Sequence, residues 1–239
     1  MTLPTLSLVL PCFNEEANVE HTLRDVLAWF NRDSINGEVI AVDDGSRDAT
    51  LTRLQALADA DPRLRVLHHD VNQGYGAAIR TGCDAARMEV IGFMDSDGQF
   101  HAEDLCLLLP HITDYQFVTG RRRHRADSFT RNTLGKVLGL MNLVVLGLFV
   151  RDVNCGMKIF RRDLWPRIRP THGIEKLFNT ELFMHLKEQG IPWKQVDVPH
   201  YPRTAGNQTG AKLYVIQRML IELKGLRKAR KKYGRAGNG

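Results

Sequence analysis

Val90-Ile91-Gly92-Phe93-Met94-Asp95-Ser96-Asp97-Gly98-Gln99 decides the fold. Its first five residues are apolar at every position rather than alternately, the pattern of a short parallel strand buried on both faces. The run stops at two aspartates one residue apart, followed by a glycine. Residues just past the carboxyl end of such a strand lie where open α/β sheets place their ligands. Two carboxylates held close repel each other unless a cation sits nearby. Hard oxygen ligands of this kind suit Mg²⁺ or Mn²⁺ bridged to substrate phosphates. In isolation Asp-Ser-Asp-Gly also reads as a solvated turn, and the surrounding chain decides between the two.

Upstream, Leu6 to Leu10 is a strand candidate ended by Pro11, and Cys12-Phe13-Asn14-Glu15-Glu16 leads into a helical pattern through Leu23, Val26, Leu27 and Phe30. Asn14 is the expected N-cap, with Glu15 and Glu16 at the positive end of the helix dipole. Glu38 to Val42 is a second strand, closed by Asp43-Asp44-Gly45-Ser46-Arg47-Asp48-Ala49-Thr50, in which Ser46 is expected to cap a helix carrying Leu51, Leu54 and Leu57. Arg65 to His69 is a third strand, followed by Asn72-Gln73-Gly74-Tyr75-Gly76-Ala77-Ala78 and a helix to Arg87. That glycine pattern fails the dinucleotide fingerprint, because Ile79 stands where a third glycine or alanine belongs. Its small residues instead allow close approach to a nucleotide diphosphate or a neighbouring strand.

Downstream, the pattern predicts a helix from Glu103 through Leu109, a fifth strand over Gln116 to Gly120, and a loop from Arg151 into a strand ending at Phe160. A helix from Thr180 to Gln189 carries Glu181, and Trp193 to Val198 is a further strand. Strands alternating with helices at crossover-length spacing imply an α/β, mostly parallel, doubly wound sheet. There is no internal repeat and no low-complexity linker. Residues 1–120 are expected to form the nucleotide half of one domain (1–211) and residues 121–211 its acceptor half. Residues 212–239 read as a basic amphipathic helix and tail.

The chain has 239 residues, enough for a sizeable core, with 43% hydrophobic and 25% charged residues, ordinary values for a folded globular protein. The net charge of +6 and a pI near 9.3 favour an anionic partner: a nucleotide, a phospholipid surface or nucleic acid. The basic excess gathers at Arg121, Arg122, Arg123 and Arg125 and again between Lys224 and Arg235. Cys12, Cys83, Cys106 and Cys155 are widely spaced with no C-x-x-C pair, which argues against structural zinc and a disulfide framework and fits a reducing compartment. Met1 to Leu6 shows no basic segment followed by an apolar one, so no signal peptide is expected. No run reaches the roughly 18–20 apolar residues that span a bilayer. Val137 to Val150 comes nearest, interrupted by Gly139, Asn142 and Gly147, and suits lying on a membrane or packing inside.

Five motifs then occur in a familiar order: Pro11-x-Phe13-Asn14-Glu15-Glu16, Asp43-Asp44-Gly45-Ser46-x-Asp48-x-Thr50, Asn72-x-Gly74-x-Gly76-Ala77, Asp95-x-Asp97-Gly98-Gln99 and Asp152-x-x-Cys155-Gly156-Met157-Lys158. Together, over residues 6–212, they resemble the inverting family 2 glycosyltransferases of GT-A fold, most of all the dolichyl- and polyprenyl-phosphate sugar synthases. The resemblance implies that Pro11, Phe13, Glu15 and Asp43 hold the base and ribose of a nucleotide sugar, with Asp44 close by and Gly74 near the diphosphate. Asp95, Asp97 and Gln99 match the metal and diphosphate site, for Mg²⁺ or Mn²⁺. Arg122, Arg131 and Arg203 match residues that hold an acceptor phosphate, and Lys212 matches a family lysine loosely. A serine of the family near position 135 is replaced by Gly135.

The implied reaction is inverting transfer of mannose or glucose from GDP-mannose or UDP-glucose to a polyprenyl phosphate. A phosphate monoester is mostly dianionic at neutral pH, so it needs arginines to position it rather than a base to deprotonate it. A hydroxyl acceptor would want a carboxylate base, for which Asp152 is the best placed. The expected setting is the cytoplasmic face of a membrane, peripherally bound, with a separate membrane anchor as a possible partner. Three rivals remain: a family 2 enzyme with a soluble or polysaccharide hydroxyl acceptor, a catalytically dead scaffold, and a nucleic-acid binder. The last has only basic charge behind it, with no recognised fold or stacking aromatics.

Overall fold

The computed structural model describes residues 4–123, 147–173 and 177–203. Arg131, Gly135, Lys212, the basic C-terminal helix and most of the apolar stretch 137–150 lie outside them. The strands are β1 (Leu6–Cys12), β2 (Gly37–Asp43), β3 (Leu64–His68), β4 (Val90–Phe93), β5 (Phe117–Arg122), β6 (Lys158–Arg161) and β7 (Trp193–Val198). The longer helices are α1 (Val19–Arg32), α2 (Thr50–Ala60), α3 (Tyr75–Ala85) and α4 (Phe178–Glu188).

The strands form one sheet in the order β3-β2-β1-β4-β6-β5-β7. β6 runs antiparallel to both its neighbours, and every other pairing is parallel. The carboxyl ends of six strands therefore share one edge with the amino end of β6. Acidic β1–β4 loops and the arginines closing β5 face the same side of the molecule for this reason.

Alternation along each strand feeds two cores, one per face. Leu8 and Leu10 of β1 pack with Val39 and Ala41 of β2 under Leu23, Val26, Trp29 and Phe30 of α1. Val9, Ile40 and Val42 point the other way, toward Ile79 of α3 and the aromatic group Phe93, Phe117, Phe160, Phe178 and Phe183. α3 crosses β1 so closely that a Cβ on Gly82 would stand 2.3 Å from a Val9 methyl. The close approach expected of the small residues near Gly74 thus falls one to two turns further into the helix.

Three local expectations need correcting. Asn14 does not cap α1, which starts at Val19 behind Asn18. Asn14 adopts a left-handed φ of 53°, a conformation asparagine tolerates better than most side chains. Its N–H donates to Ser46 Oγ and its Oδ1 accepts from the Arg47 N–H, at 3.0 and 2.9 Å. Ser46, engaged there, does not cap α2; Asp48 Oδ1 accepts the Thr50 N–H at 3.0 Å instead. The helix expected from Glu103 to Leu109 is two 3₁₀ segments, Ala102–Leu107 and Leu109–Thr113. Pro110 has no N–H to continue an α-helical ladder through the junction.

Candidate active site

β4 delivers Asp95 and Asp97 to the shared edge, and neighbouring loops hold them there. The Tyr75 hydroxyl, at the start of α3, donates to Asp95 Oδ1 at 3.0 Å. Behind Asp95 the chain has no room: a Cβ on Gly156 would stand 2.0 Å from Asp95 Oδ2. Asp97 Oδ1 accepts the Gln99 N–H at 3.1 Å. Ser96 Oγ donates to the Pro11 carbonyl at 2.7 Å, which ties the β4 loop to the end of β1.

Arg203 completes the cluster. Its guanidinium lies 2.5 Å from Glu15 Oε1 and 3.4 Å from Asp97 Oδ2. The segment that carries it is zipped onto the loop after β4, with Tyr201 N–H donating to the Gln99 carbonyl at 3.0 Å and Gln99 Nε2 to the Tyr201 carbonyl at 3.4 Å. Burial, then the charge of Asp95, push the Asp97 carboxyl up to about 6, against the pull of the Gln99 N–H and Arg203. Two hard carboxylates with one strained toward protonation form a donor set suited to Mg²⁺ or Mn²⁺. Among the described residues no group of three or more His, Cys, Asp or Glu side chains is arranged to hold a metal by itself.

The adjoining β2 end is built around two aspartates in different roles. Asp44 is saturated: Oδ1 meets His69 Nδ1 at 2.7 Å and the Gln73 N–H at 2.9 Å, and Oδ2 accepts the Gly74 N–H at 2.8 Å. It fixes the loop that starts α3. Asp43 Oδ2 takes the Ser46 N–H and His68 Nδ1 at 3.2 and 2.9 Å. Among the described residues Asp43 Oδ1 is buried without a hydrogen-bond partner, an arrangement that costs free energy unless a ligand donor completes it. Phe13 stands at this mouth, 39% exposed.

The structure therefore brings Glu15, Asp95, Asp97, Gln99 and Arg203 into one contact chain, joined to Pro11 through Ser96, with Asp43, Asp44 and Gly74 in a second. Arg122 belongs to neither. Its Nε and Nη2 meet Asp152 at 2.8 and 2.7 Å, and both side chains are under a tenth exposed. Asp152 also accepts the Cys155 N–H through its carbonyl at 3.2 Å, which anchors that loop.

Sequence reasoning passed over Tyr75, His68 and Lys158 as site residues. Lys158 is wholly buried, and its ammonium, brought down to about 8 by burial, donates to the Cys155 carbonyl beside Gly156. A lysine at the first position of a strand facing Phe93 and Phe183 was a usable signal, since lysine is almost never buried without a task.

Known proteins bear on this geometry. The model of glycosyl transferase family 2 matches residues 7–169. A dolichyl-phosphate beta-glucosyltransferase of Trichomonas vaginalis is 30% identical over 215 residues, 80% of this chain and 66% of that protein. One of Dictyostelium discoideum is also 30% identical, over 81% of this chain and 65% of the relative. An undecaprenyl-phosphate 4-deoxy-4-formamido-L-arabinose transferase of Aeromonas hydrophila is 32% identical over 66% of this chain and 49% of its own length. The chain thus spans between about half and two thirds of the length of these relatives. Among solved structures, mannosyl-3-phosphoglycerate synthase of Rubrobacter xylanophilus superimposes with a TM-score of 0.74 at 19% identity, covering 97% of this chain and 75% of that one. Glucosyl-3-phosphoglycerate synthase of Mycobacterium tuberculosis, solved with Mn²⁺, UDP and glucosyl-3-phosphoglycerate, gives 0.69 at 24% identity, over 94% and 80%. At these identities the likeness is one of fold.

Proposed function

This chain belongs to glycosyl transferase family 2 and has its GT-A fold, and from that premise we propose that it transfers a hexose, with inversion, from a nucleotide sugar to a polyprenyl phosphate at a membrane surface. The observation that carries the proposal is the pairing of opposite charges along one sheet edge. Carboxylates Asp95 and Asp97 stand just past the end of β4, while β5, two strands across, ends in Arg121 and Arg122, with Arg123 next. The names of the relatives support the lipid-phosphate acceptor, and favour glucose over mannose.

On the donor side, Asp43 Oδ1 offers an acceptor to a nucleobase N–H, and Phe13 an apolar face beside it. Asp95 and Asp97 would hold a divalent cation. When bound, such a cation supplies Lewis-acid neutralisation of the departing diphosphate. Tyr75 and the Gly156 backbone fix the Asp95 carboxylate, and Arg203 holds Glu15 and Asp97 at the spacing they have in the fold. The acceptor phosphate oxygen attacks the anomeric carbon opposite the leaving group through an oxocarbenium-like state. A dianionic phosphate requires no proton transfer, in keeping with an Asp152 tied to Arg122 instead of standing free as a base.

Among the described residues no helix is long and apolar enough to cross a membrane, and a peripheral attachment is proposed. The test is transfer of radiolabelled sugar from a panel of UDP- and GDP-sugars to farnesyl phosphate, with Mg²⁺ or Mn²⁺ and an Asp97→Ala control. Label in the lipid phase from one donor, absent in the control, is expected. Label only in a water-soluble hydroxyl acceptor would overturn the acceptor. Failure of the protein to sediment with anionic liposomes at low salt would overturn the membrane attachment.

A further inference from the structure

The arginines at the end of β5 line a cleft of about 410 Å³ formed by Arg121, Arg122, Arg123, Arg151, Asp152 and Asp197. Four guanidiniums face two carboxylates there, leaving two positive charges over. The carboxylates already have partners. Asp152 is gripped by Arg122 in a near-buried bidentate pair, and Asp197 Oδ1 lies 2.5 Å from Arg121 Nε. Arg123 and Arg151 are exposed, and neither guanidinium makes a hydrogen bond or ion pair among the described residues.

Their backbones are nevertheless fixed. The Arg123 N–H donates to the Val198 carbonyl at 3.3 Å and the Arg151 N–H to Gln195 Oε1 at 3.4 Å, so both are anchored on β7. Both side chains act on one spot: Asp197 is held below the usual carboxylate range first by its bond to Arg121 and then by the charges of Arg121, Arg123 and Arg151. One wall of the cleft is joined through the chain to the contact with Asp95. Arg122 Nη2 donates to the Asn154 carbonyl at 3.3 Å, and Gly156, which packs on Asp95, follows two residues later, a span of at most about 7 Å.

We infer that Arg123 and Arg151 receive the phosphate of a phosphate monoester in this cleft, with Arg121 and Arg122 as walls fixed by Asp197 and Asp152. The inference rests on the proposed phosphate acceptor and adds the residues that hold it, moving that role from Arg122 to its exposed neighbours. Two unengaged planar forks match the terminal oxygens of a dianion bidentately, and the two surplus charges equal its charge. Arg122 has its Nε–Nη2 edge committed to Asp152, and Arg121 its Nε to Asp197, so each has less to offer a second anion than Arg123 or Arg151.

The experiment is calorimetric binding of farnesyl phosphate, and separately of inorganic phosphate, to the full chain and to an Arg123→Ala/Arg151→Ala variant, with Arg24→Ala on α1 as control. The double variant is expected to bind farnesyl phosphate at least tenfold more weakly, with an equal rise in the KM for that acceptor and unchanged binding of the nucleotide donor. Arg123→Lys/Arg151→Lys, which keeps the charge and loses the fork, is expected to fall between. Competition by inorganic phosphate in the wild type but not in the double variant supports the same site for the free ion. Equal farnesyl phosphate affinity in wild type and double variant overturns the inference. If binding depends on the two arginines but the wild type transfers no sugar to farnesyl phosphate, the acceptor proposed above fails and the phosphate site stands.

Discussion

Arg203 and Glu15 stand 188 positions apart in the chain, yet a guanidinium nitrogen of one lies 2.5 Å from a carboxylate oxygen of the other. The same guanidinium reaches Asp97 at 3.4 Å. One cation thus joins the segment after β7 to the loops after β1 and β4, and it stands in a group of three carboxylates, Glu15, Asp95 and Asp97, that would otherwise repel one another.

Replacing Arg203 by alanine removes a positive charge that favours ionisation of Asp97. The Asp97 carboxyl, already near 6, is expected to titrate higher. Sugar transfer should then fail at a higher pH on the acid side than in the wild type, with kcat/KM at pH 7 down at least about tenfold, roughly 1.4 kcal/mol. Arg203→Lys, which keeps charge and loses the bridging fork, should restore part of the acid limb. An alanine variant whose acid limb coincides with that of the wild type would show that Arg203 does not act on Asp97.

Asp97 also gives a stability signature. Its folded carboxyl is raised from 3.8 to about 6, so the folded state holds the proton more tightly than the unfolded one. That stabilisation is complete below about 3.8 and is lost as pH rises through about 6. Asp97→Asn keeps the shape without the charge. In metal-free buffer its Tm should exceed that of the wild type by a margin that grows from pH 4 to pH 7.5, the full effect being about 2–3 kcal/mol. A margin independent of pH would contradict the raised carboxyl.

Gly156 is the tightest contact at the site, because any Cβ there would overlap the Asp95 carboxylate, with 2.0 Å to Oδ2 and 2.3 Å to Cγ. Gly156→Ala must displace Asp95 or the Cys155–Gly156 backbone that Lys158 holds. Overpacking of this sort costs about 1–3 kcal/mol, which leaves a folded protein. Activity should fall far more, on the order of a hundredfold, since small misplacements of reacting groups are costly. Unchanged transfer in the alanine variant would mean that Asp95 need not occupy its observed position.

The strands were readable because burial writes itself into composition: Val90 to Phe93 is apolar throughout and is buried at every residue. The carboxylates at strand ends were readable for the same reason, as abrupt breaks in apolar runs. What escaped was contact made across elements. Nothing in Asn72 to Ala78 says that the Tyr75 hydroxyl points at Asp95. Nothing in Gly120 to Arg123 says that Asp152, thirty residues on, takes Arg122 and leaves Arg123 open. Caps failed in the same way, because Asn14 and Ser46 found each other across two loops before either could serve its own helix.

Glu181 offers a last check, away from the cluster around Asp95. It is 1% exposed, and its carboxylate accepts the backbone N–H groups of Thr171, His172 and Gly173 at 2.8, 2.9 and 2.6 Å. The Gly173 carbonyl in turn accepts from Arg80 Nη1 at 2.8 Å, so this one side chain links α4 to α3 through the loop. Burial opposes its ionisation, but the three N–H groups and His172 outweigh it, and the folded pKa lies below 4.5. A depressed carboxyl contributes stability that is present above the unfolded pKa and is lost as pH falls through the folded one. Glu181→Gln surrenders the charge and one acceptor oxygen, at a cost of about 2–3 kcal/mol, or roughly 4–12 °C in Tm for a chain of this size. The gap to the wild type should be widest near pH 7 and close as pH falls below 4. A gap that persists unchanged to pH 3 would show that Glu181 is not held as a carboxylate by the loop.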